Sequence, residues 1–147
     1  MAEAIRSYED LEVWQAGIEL SLRVYGLVEC LPRSERYELS SQLRRASVSI
    51  PSNVAEGHAR RTPKPYLNHV HIALGSLAEL VTCLVIANRL GYVRVEEFDT
   101  AMRETRRLGQ LLHGLARSLD RRIDYQRLTI ALALFAGGLV GWLSALA

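Results

Sequence analysis

The sequence predicts an all-α protein, an antiparallel up-down four-helix bundle with a kinked second helix and a C-terminal transmembrane-like helix. Three observations predict it. Four stretches carry apolar residues in steps of three and four, the spacing of a single helix face, and their connections are short enough to make neighbours antiparallel. Pro51 falls inside the second stretch. The final 20 residues, from Leu128 to Ala147, contain no charged side chain. A chain of 147 residues is expected to form one core, burying about two-thirds of its extended surface. The expected division is a bundle over residues 1–122 and an apolar helix over 123–147.

The first helix is expected to start at Ser7, which with Asp10 has the spacing of a capping box. Its stripe is Leu11, Trp14, Ile18, Leu22, Tyr25 and Val28, and it ends near Leu31-Pro32, because the residue before a proline leaves helical geometry. Ser34 is placed to cap the second helix, which carries Leu39, Leu43, Ala46 and Ile50 inward. Pro51 removes one backbone hydrogen bond there, at about 3 kcal/mol, and bends the helix. Ser47 and Ser49 stand where hydroxyls can occupy the freed backbone groups. Leu43, Ile50 and Pro51 are expected to be structural, and Gly57 reads as the C′ residue. Arg44 and Arg45 precede the proline, and Asn53 and Glu56 follow it, three apart and on one face.

The third helix is expected from Thr62-Pro63, a cap followed by proline at the first helical position, to about Leu90, with Gly91 as C′ residue. Leu67, Val70, Leu74, Leu77, Val81 and Leu84 form its stripe. Gly75 costs about 1 kcal/mol against alanine in mid-helix, which points to a close helix crossing. Arg60, Arg61 and Lys64 stand before this helix, where the macrodipole favours an anion; a solvated loop is the plainer alternative. The fourth helix begins around Val95 to Glu97 and buries Phe98, Met102, Thr105, Leu108, Leu112, Leu115 and Leu119, with arginines outside.

The tail is long enough, at ~1.5 Å per residue, to span a hydrocarbon layer. Arginines 121, 122 and 127 before it, and none after, place the bundle on the cytoplasmic side of an inner membrane. Ala133, Gly137, Gly141 and Ala145 recur every fourth residue, a face on which membrane helices pack closely. The alternative is an apolar helix buried in a soluble oligomer, with a cytoplasmic location.

Composition excludes several classes. The net charge is +2 and Lys64 is the one lysine, so charge alone does not call for nucleic acid. Cys30 and Cys83 read as buried free thiols of a reducing compartment, and the N-terminus has no apolar run of a signal peptide. His69 and His71 are two apart and face different ways, which makes them poor joint metal ligands. Nothing pairs a nucleophile with a base, so no catalytic residue, cofactor or metal is expected.

Three blocks carry a resemblance: YEDLEVWQAG at Tyr8 to Gly17, QLRRASVSIPSNVAEG at Gln42 to Gly57, and IALGSLAEL at Ile72 to Leu80, with LGYV at Leu90 to Val93 closing the third helix. Over residues 8 to 120 or so the chain resembles the bacterial four-helix bundle proteins typified by the 23S rRNA intervening-sequence protein. The resemblance implies an up-down bundle that assembles as a homopentamer and has no enzymatic activity. It extends to the accessory protein of diversity-generating retroelements, a basic pentameric barrel that binds a reverse transcriptase and nucleic acid. The modest charge and the apolar tail depart from the family pattern. The functional expectation is therefore an oligomeric scaffold or adaptor, tail-anchored in the membrane through residues 128–147 and facing a cytoplasmic protein partner. The alternative is a pentamer that binds nucleic acid or ribonucleoprotein through Arg44, Arg45, Arg60, Arg61 and Lys64. Pro51, Asn53, Glu56, Gly57 and Gly75 are expected to be structural or to lie between subunits.

Overall fold

The computed structural model describes residues 6–145, with side-chain surroundings for residues 6–134. Four helices follow one another: α1 (Glu12–Val28), α2 (Leu39–Ala59), α3 (Pro63–Arg89) and α4 (Val95–Ala145). Each packs on its neighbours in sequence, and α4 closes the ring against α1. That closed order, with short turns, is the up-down antiparallel bundle.

Local chemistry sets the boundaries. Ser7 and Asp10 do form a capping box, but around a 3-10 turn, Tyr8–Asp10, and α1 proper starts at Glu12. Ser34 does not cap α2. It lies within a second 3-10 turn, Arg33–Arg36, and α2 starts at Leu39 without a side-chain cap. Nor does Gly57 end α2. It lies buried within the helix, and Arg61 takes the left-handed backbone instead, at φ 59°. Gly91 ends α3 as expected, at φ 73°.

The core holds Leu20, Val24, Leu43, Ile50, Val54, Val70, Leu80, Leu84, Leu108, Leu112 and Leu119. The expected stripes of α2 and α4 run into it. On α3, Val70, Leu77 and Leu84 are buried, while Leu67, Leu74 and Val81 are half-buried. The stripe of α1 holds at Val28, which is buried, and at Leu11 and Trp14, which pack against the core, and is corrected at Leu22 and Tyr25. Val13, Leu20, Val24 and Leu27 face the core, while Leu22 is 63% and Tyr25 46% exposed. This helix carries two apolar stripes. The inner one is selected because it brings Gly17 and Ser21 against Pro51 and the Ser47 carbonyl. Cys83 is buried as expected, but Cys30 is exposed, because it lies in the turn after α1.

The helix α4 continues past the last core residue without a break. Leu119 is buried, Ile123 is half-buried, and residues 124–134 are all exposed. Among the described helices, α3 is long and apolar enough to cross a bilayer, but it is packed between α2 and α4. Of the small-residue stripe, Ala133 is exposed; the side chains at 137, 141 and 145 lie outside the described surroundings.

Candidate functional site

The block around Pro51 is where three helices meet. Pro51 has no N–H to donate to the carbonyl of Ser47, four residues earlier. A buried carbonyl without a donor costs about 1–3 kcal/mol. Ser21 of α1 supplies the donor: its Oγ lies 2.9 Å from the Ser47 carbonyl and 2.8 Å from that of Gly17. Its one proton can serve either. Ser47 Oγ instead donates to the Arg44 carbonyl at 2.9 Å, so the repair comes from the neighbouring helix and not from the preceding turn. Gly17 admits the proline ring, since a Cβ there would stand 3.2 Å from Pro51 Cβ.

A second set of polar groups fastens α2 to α3. Ser49 and Ser76 hydroxyls lie 2.8 Å apart. The Asn53 amide donates to the Ser49 carbonyl at 2.9 Å, and its Oδ1 accepts from His69 Nδ1 at 3.1 Å. His69 Nε2 faces Glu56 at 3.8 Å, and Glu56 pairs with Arg60 at 2.9 Å. Asn53 and Glu56 thus share a face, as expected, and that face meets α3. Below them Gly57 is covered by Tyr66, whose Cδ2 would be 2.4 Å from a Cβ at that position.

Gly75 does not mark a close crossing within the chain. It is exposed, and a Cβ there would meet nothing within 4 Å. The close approaches are at Gly17 and Gly57. Sequence reading gave Gly17, Ser21, Tyr66 and Ser76 no role. The signal available was the one-turn spacing of Gly17 and Ser21 on the helix before a proline-bearing one.

The expected basic contacts divide into two groups. Arg44 pairs with Glu29 at 3.0 Å and lies over the Tyr25 ring, 5.6 Å from its centroid. Arg60 is held by Glu56. Arg45, Arg61 and Lys64 are exposed. Arg61 reaches a groove at the α2–α3 turn of about 280 Å³, together with His58, Thr62, Tyr66, Leu119 and Arg122. Burial pushes the Tyr66 hydroxyl up to about 12, and among the described residues it has no hydrogen-bond partner.

A helical ring with this connectivity, fastened at a proline-bearing second helix, defines the class: a four-helix bundle whose specific residues are spent on holding helices together. The chain belongs to the 23S rRNA-intervening sequence protein family, whose model matches residues 9–114. Among solved structures it is similar to a protein of unknown function from the S23 ribosomal protein family of Bacteroides thetaiotaomicron. That likeness has a TM-score of 0.66 at 22% identity, covering 71% of this chain and 97% of that one. At that identity it speaks for the fold. No curated protein matches the chain.

Proposed function

We propose that this chain is a non-catalytic, oligomeric scaffold, anchored in a membrane by residues 128–147 and presenting its bundle surface to a cytoplasmic partner. The observation that carries the reading is the contrast around α2. The polar residues of the Pro51 block are engaged within the chain, while large apolar side chains on both sides of it stand in solvent: Leu22 at 63%, Val48 at 42% and Ile72 at 52% exposure. Apolar groups left outside a folded bundle are the usual raw material of protein contacts. The homopentamer and the membrane anchor belong to this same reading. The exposed course of α4 over residues 124–134 supports the anchor, because the uncharged run begins there on helix that is not packed against the bundle.

Fractionation tests it. The full chain should enter the membrane fraction, and a chain ending at Arg122 should be a soluble oligomer by mass in solution. A soluble full chain, with a truncated form that falls apart, would instead make the tail an oligomer core.

A second reading, nucleic-acid binding, rests on the exposure of Arg45, Arg61 and Lys64. It is weaker, because Arg44 and Arg60 are already engaged by Glu29 and Glu56. Replacing Arg60, Arg61 and Lys64 with glutamine should abolish any salt-sensitive RNA retention; unchanged retention rules this patch out.

A further inference from the structure

The last packed turn of α4 and the basic turn of the bundle meet at one end. The helix α4 reaches the α2–α3 turn with Leu119 and Arg122, which share the groove of Arg61, His58, Thr62 and Tyr66. No carboxylate is among the lining residues. The grooves at Glu12–Arg107 and Glu29–Arg44 differ in this respect, for each contains a carboxylate paired with its arginine. Tyr66 adds a donor. It is 8% exposed, and its hydroxyl is unpartnered among the described residues. Its ring is fixed by the Gly57 backbone beneath and by an edge contact to His58, 6.0 Å between centroids. Two arginines and a tyrosine line this one groove, and guanidinium and phenol groups are donors of the kind that hold a phosphate.

The source of the phosphate follows from where the groove lies. Leu128 lies six positions after Arg122, about 9 Å along the helix. The polar layer of a bilayer leaflet is roughly 5–8 Å thick. With Leu128 at the hydrocarbon edge, the groove stands at the outer side of the headgroups. We infer that this groove, centred on Arg61, Arg122 and Tyr66, binds the headgroup phosphate of an anionic lipid and so fixes the bundle against the membrane surface. The inference rests on the anchored reading above.

The test is flotation of the full chain with phosphatidylcholine vesicles, alone or mixed with phosphatidylglycerol. Wild-type chain should float with both and prefer the anionic vesicles. Arg61→Gln with Arg122→Gln should still float with phosphatidylcholine but lose the preference, about fivefold for each arginine. Tyr66→Phe should weaken the preference, and Arg106→Gln, about 24 Å away along α4, should leave it intact. Failure to float with neutral vesicles overturns the anchor itself. Flotation with the preference retained in the double variant overturns the groove alone. Two further outcomes also overturn it. One is stabilisation of the detergent-held chain by inorganic phosphate that the double variant abolishes, which makes the ligand a soluble phosphate. The other is loss of RNA retention in the double variant with vesicle preference unchanged.

Discussion

Gly57 and Tyr66 show how much one side chain can decide. With Tyr66 Cδ2 at 2.4 Å from where a Cβ would be, Gly57→Ala forces the ring off the helix. Overpacking of this kind costs about 1–3 kcal/mol, and urea unfolding should show it as a lower midpoint at unchanged slope. Replacing Tyr66 by phenylalanine acts differently. Burial raises the hydroxyl from its ordinary 10.0 to about 12, so the folded chain keeps this proton at pH values where the unfolded chain has released it. The contribution is complete below pH 10 and is lost as pH rises towards 12. It amounts to something on the order of 2 kcal/mol. Tyr66→Phe should remove this part of the alkaline decline in stability and leave neutral stability little changed. An identical alkaline slope in wild type and variant would show that the hydroxyl ionises freely in the fold. The sequence marked Gly57 as special, but for a helix end. Periodicity cannot distinguish a glycine that stops a helix from one that lies under a ring, since the ring comes from another helix.

At the scale of the element, α2 tolerates Pro51 because α1 supplies a replacement donor. The two positions should therefore be coupled. Ser21→Ala leaves the Ser47 carbonyl bare and should cost about 1–3 kcal/mol. In a Pro51→Ala chain the helix can restore its own N–H to that carbonyl, so the same change should cost far less. A double-mutant cycle in denaturant should give a coupling of about 1 kcal/mol or more; additive effects would mean that Ser21 acts only through its bond to Gly17. Element existence was legible from the sequence, as were the stripes of α2 and α4, because those helices have one apolar face. The face of α1 was not. Leu22 is as apolar as Leu20 and Leu27, Tyr25 has a large apolar ring, and what chooses between the stripes is the fit of Gly17 and Ser21 to a proline 34 residues downstream of Gly17. Arg44 and Glu56 were legible as charged residues of α2 and Arg60 as one of the turn after it, but not as partners of Glu29, one another and His69. Pairing depends on helix rotation, which no single stripe reports.

For the whole molecule, the question is where the folded unit ends. The family match stops at residue 114, the last core leucine is Leu119, and α4 is exposed from residue 124. The ring of packed helices is therefore complete before Arg122, and beyond it only Ile123 is even half-buried among the residues with described surroundings. Hydrophobic stabilisation scales with apolar area removed from water, so removing residues 123–147 should leave the unfolding free energy of the bundle within about 0.5 kcal/mol. The residual loss is fraying of the last α4 turn against Ile123, which is half-buried. Thermal unfolding of the truncated chain in plain buffer should thus match that of the full chain in mild detergent. A transition lower by more than about 5 °C would correspond to roughly 1 kcal/mol in a domain of this size. It would mean that the tail folds back on the bundle or cements an oligomer, and the division of labour between a self-sufficient bundle and an anchoring tail would have to be given up.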